Sequence, residues 1–409
     1  MKPKEILALS EEELFLKLKE NVERKVLQKY SILTEELKKQ IEFELVEIRK
    51  TGLGREILIL EDLVEYADKT NIPVGFVRGD ALPCIVIYIL GITKIDPIQW
   101  GLIPEQIYQS EYNKDILSIW TNFGNFRLIR KYLNKNYYEQ IQLEAARIAK
   151  EVKFIKVGIN LNPNLNLYYF REVDIIAEAV KIISRKEGRY FDLKKISLED
   201  KNTYALYQDG KVENIILFQS NGMRESLRRL KPETFTHLYT LHSLYRPSQI
   251  DSGILDKYIQ NRLNLNEIEK IHSVFDKHTK ETYGILVFQE QVTEIIHELI
   301  GISLYDASQF VKIFKSKNPD KLEEIKYTFL KLGNENGILG KDLISIWEVL
   351  EKQAENTYSK SQAISHCLIS YQMAFIKAHY PIEFTTAIWK VENHKEIVKK
   401  RYEKMKARH

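Results

Sequence analysis

The sequence predicts an α+β protein that is mostly helical. Three observations carry this. Residues 11–70 set apolar residues three and four apart among charges, the period of an amphipathic helix. Residues 71–195 turn to glycine- and proline-bearing segments with strand character. From 197 onward helical patterns return and dominate.

In chain order, EEELFLKLKENVERKVLQKY and TEELKKQIEFELVEIRKTG read as helices. Thr34 followed by Glu36 and Leu37 suits a helix start, and Gly52 and Gly54 mark the end of the second helix. IPVGFVRGDALPCIVIYILGITKIDPIQWGLIP reads as strand, glycine-bearing loop, compact apolar helix and turn. NFRLIRKYLNKNYYEQIQLEAARIAKEV reads as helical, KFIKVGINLNPNLNLYYF as strands around a turn at Asn162–Pro163, and REVDIIAEAVKIISRK as a helix. Ser197 with Glu199 and Asp200 opens a further helix. FKSKNPDKLEEIKYTFLKLGNENGI is a loop and a helix with a glycine stop. SHCLISYQMAFIKAHYPIEFTTAIW is a long apolar-faced helix interrupted at Pro381.

The 409 residues allow two or three subdomains. The net charge of +4 and pI near 8.6 permit nucleic-acid binding without demanding it. The last twenty residues hold eight Lys or Arg against three Glu, a local +5. A solvated helix end and a contact to a nucleic-acid backbone are both open for this tail. Cys84 and Cys367 lie in apolar runs, outside any CxxC or metal-ligand spacing, and read as buried small hydrophobes. The N-terminus lacks a signal-peptide core and no run of about 18 apolar residues exists, so a cytoplasmic protein with no membrane partner is expected.

Several blocks, in a consistent order over residues 12–390, resemble the bacterial DNA polymerase III alpha subunits, the C-family polymerases. They are IEFELVEI, LVEYADKTNIPVG, VRGDALPCIVIYILGITKIDPIQWGLIPE, SLEDKNTYALYQDG, FQSNGMRESLRRLKPETF, LYRPSQIDSGILDKYIQNR, TYGILVFQEQV and KAHYPIEF. The resemblance implies a palm of the polymerase-beta nucleotidyltransferase type with a helical thumb and helical fingers. It divides the chain into a helical lead-in (1–70), a palm-like segment (71–195), a thumb-like segment returning to the palm (196–265), helical fingers (266–390) and the basic tail (391–409). The family's N-terminal phosphoesterase domain and its C-terminal clamp-binding and nucleic-acid-binding modules are expected to have no counterpart in this chain.

The family's chemistry joins a primer hydroxyl to an α-phosphate across two metal ions held by carboxylates. It supplies an Asp pair spaced by two, which places both on one face of a strand, and a third Asp on a neighbouring strand. Anchored on Phe123, the pair falls on Trp120 and Asn122. A shift by one gives Ile119 and Thr121, and neither register restores an acid. The third position is Asn166, close to Asp in shape but neutral. In the phosphate loop Arg78 and Gly79 remain, but Asp80 stands where the family has Ser, and Ala81, Leu82 and Pro83 replace small residues. The family's paired finger arginines become Val311 and Lys312, and its Asn-Lys-Ser-His becomes Ser359, Lys360, Ser361 and Gln362.

The resemblance leaves Arg78, Gly79, Lys312, Lys315, Lys317 and Lys360 as nucleotide- or phosphate-binding candidates, and Arg224, Arg228, Arg229, Lys231 and Arg246 as nucleic-acid-binding candidates. For each of these cations a plain surface charge is equally open. The expected function is a DNA polymerase III alpha-like protein without metal-binding aspartates. It is read as a non-catalytic nucleic-acid-binding or scaffold subunit associated with DNA replication, with no cofactor and a protein partner that supplies catalysis or recruitment. The alternative is an active, divergent DNA-directed DNA polymerase using Mg²⁺ on relocated carboxylates such as Asp80 or Asp115.

Overall fold

The computed structural model describes residues 3–70, 74–77, 83–102, 118–121, 131–133, 135–137, 143–144, 155–157, 166–169 and 171–406. The chain forms two compact units, Met1–Thr203 together with Leu368–His409, and Tyr204–Cys367.

The first unit opens on α1 (Pro3–Ala8), α2 (Glu11–Lys29), α3 (Glu35–Thr51) and α4 (Gly54–Lys69). A capping box starts α2: the Glu13 amide donates to the Ser10 hydroxyl, and the Ser10 amide donates to the Glu13 carboxylate at 2.8 Å. Thr34 caps α3 by accepting from the Leu37 amide at 3.2 Å. Gly52, at φ +69°, closes α3 in the left-handed conformation that glycine adopts without steric cost. Gly54 does not end this helix but begins α4. The run that follows, Ile57, Leu58, Leu60 and Leu63, is buried only by folding as a separate helix back across its neighbours. Lys25 of α2 fastens the pair, with its ammonium 2.6 Å from Glu61 and 2.7 Å from Glu65.

The chain continues through β1 (Val74–Val77), α5 (Ile85–Ile89), β2 (Ser118–Thr121), β3 (Leu143–Glu144), β4 (Ile155–Val157), β5 (Asn166–Tyr169) and α6 (Arg171–Glu187). The strands form one mixed sheet in the order β1-β2-β5-β4-β3. Only β2 and β5 run parallel. β3 lies within a stretch whose sequence reads as helical. Its two residues pair with Val157 and Lys156, and this long-range pairing overrides local propensity. The short α5 begins on a buried carboxylate. Glu44 of α3 accepts from the Ile85 and Val86 amides at 3.1 and 3.0 Å, from the Cys84 thiol at 3.0 Å and from Gln40 at 3.0 Å.

The second unit is helical. It takes up the chain within α7 (Lys201–Gln208) and runs through α8 (Asn221–Leu230), α9 (Phe235–Leu244), α10 (Pro247–Asp251), α11 (Ile254–Leu263), α12 (Ser273–His278), α13 (Gln289–Ile300), α14 (Leu304–Ser316), α15 (Pro319–Glu335) and α16 (Gly340–Gln353) into α17 (Lys360–His379). Its core from α12 to α16 packs Phe275, Ile296, Phe314, Phe329 and Trp347, all nearly inaccessible to water. Asp200 is the acid that starts α7, accepting from the Thr203 amide at 2.7 Å. Cys84 and Cys367 are both buried, and neither is in a disulfide.

Back in the first unit, α17 ends at His379, and Pro381 becomes the first residue of α18 (Pro381–Lys406), the position where a missing amide proton costs nothing. α18 is joined to α6 by Lys186–Glu383 at 2.6 Å, Lys390–Glu178 at 2.9 Å and Arg171–Glu392 at 2.5 Å. No helix among the described residues is long and apolar enough to cross a membrane.

One buried acid makes this fold sensitive to pH. Glu56 of α4 is 6% exposed, and its Oε2 has no hydrogen-bond partner. Burial raises its pKa from 4.5 to about 7. The folded state therefore holds a proton that the unfolded state gives up, and the resulting stability is present at low pH and lost as pH rises through about 7. Glu56→Gln should remove this dependence and raise stability at alkaline pH by up to about 3 kcal/mol, as urea titrations at several pH values would read.

Candidate nucleic-acid interface

The sheet register decides which residues can act together. Ser118 pairs with Asn166 and Trp120 with Tyr168 across the parallel β2–β5 pair. Lys156 pairs with Asn166, and Glu144 with Lys156. Because successive residues of a strand alternate between faces, Ser118, Trp120, Asn166, Tyr168, Lys156 and Glu144 share one face. The opposite face carries Ile119, Thr121, Leu167, Tyr169, Ile155, Val157 and Leu143, joined by Val74 and Val77 of β1. By register, one face is thus largely aliphatic in sequence and the other wholly polar or aromatic.

Two of the three positions that the sequence resemblance set against the family's aspartates, 120 and 166, fall on this face, on adjacent parallel strands. Asn122 lies outside the described residues, as do Asp115 and the loop residues Arg78, Gly79, Asp80, Ala81 and Leu82. Pro83 is described and buried. Sequence reasoning missed Lys156, which stands in the same row as Asn166. The signal was its place between Ile155 and Val157, but only the strand pairing says which position it faces.

The remaining candidates lie in the second unit, and internal contacts hold several of them. Lys360 is 8% exposed, and its ammonium pairs with Glu281 at 2.7 Å. The backbone amide of Lys360 donates to both carboxylate oxygens of the buried Glu290 at 3.0 Å. Burial raises the Glu290 pKa, and the Lys360 amide opposes that rise. Arg246 donates through Nε to the Ser243 carbonyl at 2.8 Å and through its terminal nitrogen to the Asn356 carbonyl, and lies 5.3 Å over the Tyr358 ring. Burial lowers its pKa. Lys317 pairs with Glu355 at 2.8 Å. Lys312 sits half-buried on α14. Lys315 lies on the same helix and is exposed.

On α8, Arg224 meets Glu213 at 2.9 Å, Arg228 meets Glu225 at 3.4 Å, and Arg229 meets Asp256 at 2.6 Å. Each arginine of this run therefore has an acid beside it, which reduces its pull on phosphate. Lys231 ends α8 in the left-handed conformation, exposed and with no ion-pair partner among the described residues.

Two family models match the chain. The bacterial DNA polymerase III alpha NTPase domain matches residues 14–115, and the bacterial DNA polymerase III alpha subunit finger domain matches residues 172–337. This chain belongs to the bacterial DNA polymerase III alpha family. Among similar proteins, the DNA polymerase III subunit alpha of Aquifex aeolicus is 24% identical over 86% of this chain and 41% of its own length. That of Campylobacter jejuni is 24% identical over 87% and 38%. That of Escherichia coli is 28% identical over 53% and 20%. The chain spans about two fifths of the length of the first two. The Aquifex match runs over 478 positions, while 86% of 409 residues is about 352, so about 126 positions of the relative have no counterpart within this chain's matched span. Residues 116–171, between the two family-model matches, include positions 120, 122 and 166.

The Glu290 contact makes Lys360 a structural residue first. Glu290→Ala strips the acceptor from the start of α17 and should cost about 2–3 kcal/mol of unfolding free energy in urea titration. Lys231→Ala should stay within about 0.5 kcal/mol of wild type.

Proposed function

We propose that this chain is a non-catalytic member of the DNA polymerase III alpha family that binds DNA or another nucleic acid and serves as a scaffold in a larger complex, where a protein partner supplies catalysis or recruitment. The polymerase-beta type of palm, with a thumb over 196–265 and fingers over 266–390, is part of this reading. The parallel β2–β5 pair supports it, because it brings positions 120 and 166 to one sheet face, as a two-metal site requires.

The observation that carries the reading is the chemistry at those positions. Mg²⁺ takes hard, anionic oxygen ligands. Trp120 offers none, and Asn166 offers a neutral amide. Glu144 is the one acid on that face among the described residues, and it stands two strands from Asn166, roughly 10 Å away, with Lys156 between. A basic residue in the row of Asn166 disfavours a divalent cation there. The donor set does not fit a pair of metal ions, so no phosphoryl-transfer step is assigned to it.

On a primed template with Mg²⁺ or Mn²⁺ the purified chain should incorporate no nucleotide. Template-dependent extension that disappears when a residue of the polar sheet face is changed would contradict the reading. Binding to DNA in a mobility-shift titration should weaken as salt rises, since phosphate neutralisation releases counterions. A salt-independent shift, or none, would leave protein partners as the ligands.

A further inference from the structure

His278 is the last residue of α12, and its ring lies between two carboxylates of α13. Nδ1 is 3.2 Å from Glu294 and Nε2 is 2.7 Å from Glu298. A carboxylate only accepts hydrogen bonds, and a neutral imidazole has one donor nitrogen and one acceptor. Both acids are therefore satisfied at these distances only by the doubly protonated ring. The His278 side chain is 13% exposed, which limits the replacement of either partner by water. The same face of α13 holds the loop that follows α12. Gln291 Nε2 donates to the His278 carbonyl at 3.0 Å and to the Thr282 hydroxyl at 2.8 Å, and its Oε1 accepts from the Val287 and Phe288 amides at 2.8 Å. Gln291, Glu294 and Glu298 follow at spacings of three and four, so they share one side of the helix. The loop carries Glu281, whose carboxylate engages the Lys360 ammonium.

We propose that His278 is a pH-sensitive clasp: protonated, it ties the end of α12 to both Glu294 and Glu298 and holds the loop 279–288 against α13; neutral, it keeps one acid and releases the other. The released acid is Glu294. Glu298 is nearer to the ring, so the remaining proton stays on Nε2, and a bare Nδ1 then faces the Glu294 carboxylate. Glu298 also keeps the Lys277 ammonium at 2.7 Å. The other charged groups nearby do not replace the ring. Asp276 of α12 lies 4.0 Å from Lys270, Glu281 is taken by Lys360, and Lys280 is exposed. On its other side α12 buries Phe275 in the apolar core. Burial lowers the His278 pKa, but the hydrogen bonds to Glu294 and Glu298 outweigh it, and the net shift is upward from 6.5. The clasp is thus complete below pH 6.5 and is lost as pH rises through the higher folded value.

The test is an NMR titration of the histidine rings in the full chain, with the His278 signal assigned by its loss in His278→Gln. The wild-type ring should titrate above 6.5. Glu294→Gln, whose amide can donate to a neutral Nδ1, should bring the midpoint down. The second readout is amide hydrogen exchange over 277–288, taken as protection factors at about pH 5.5 and about pH 9. Wild-type protection should fall about fivefold at the higher pH, the scale of one hydrogen bond to a charged group weakened by partial exposure. His278→Gln, which does not titrate, should show the same protection at both. This local signal is separate from the titration of Glu56, which lies in the first unit. A wild-type midpoint at or below 6.5 would overturn the clasp. So would a fall in protection of the same size in His278→Gln.

Discussion

The parallel pairing of β2 with β5 is the constraint on which the functional argument depends. It couples two segments nearly fifty residues apart and sets Ser118 against Asn166. A slip of one residue would exchange the faces, sending Trp120 and Asn166 to opposite sides of the sheet. The register is what keeps positions 120 and 166 together, whatever residues occupy them.

Elsewhere, two buried carboxylates start two helices. Glu44 holds the amides that open α5, and Glu290 holds the amide that opens α17. Burial raises the pKa of each, and hydrogen bonds from backbone amides oppose that rise. Removing such an acid leaves buried donors unsatisfied, at a cost that a small domain feels. These are packing devices, independent of phosphoryl transfer. A polymerase-family chain needs them for packing whatever its sheet face binds.

Local signals were legible where local chemistry decides. Thr34 and Gly52 bound α3, and Pro381 separates α17 from α18, because caps and proline act on their own few residues. Gly54 was misleading, since glycine both ends and begins helices and only the burial of Ile57 through Leu63 distinguishes the cases. The strand at Leu143–Glu144 was not legible, because two residues carry no periodicity and their partner is remote. At the candidate site the positions 120 and 166 could be found by resemblance, but Lys156 could not, because strand pairing is not written in any local pattern. The cations of the second unit look free in the sequence. Lys360 and Arg246 acquire Glu281 and the Asn356 carbonyl only through folding.

In the polymerase-family chain, positions 120 and 166, adjacent on the parallel strand pair, carry Trp and Asn and no carboxylate. The most direct measurement is an electron paramagnetic resonance titration of Mn²⁺ into the full chain in the presence of a primed template. The account predicts that the free-ion signal stays undiminished beyond what the template alone removes. A pair of Mn²⁺ ions taken up per chain, and released by substitution on the sheet face, would contradict it.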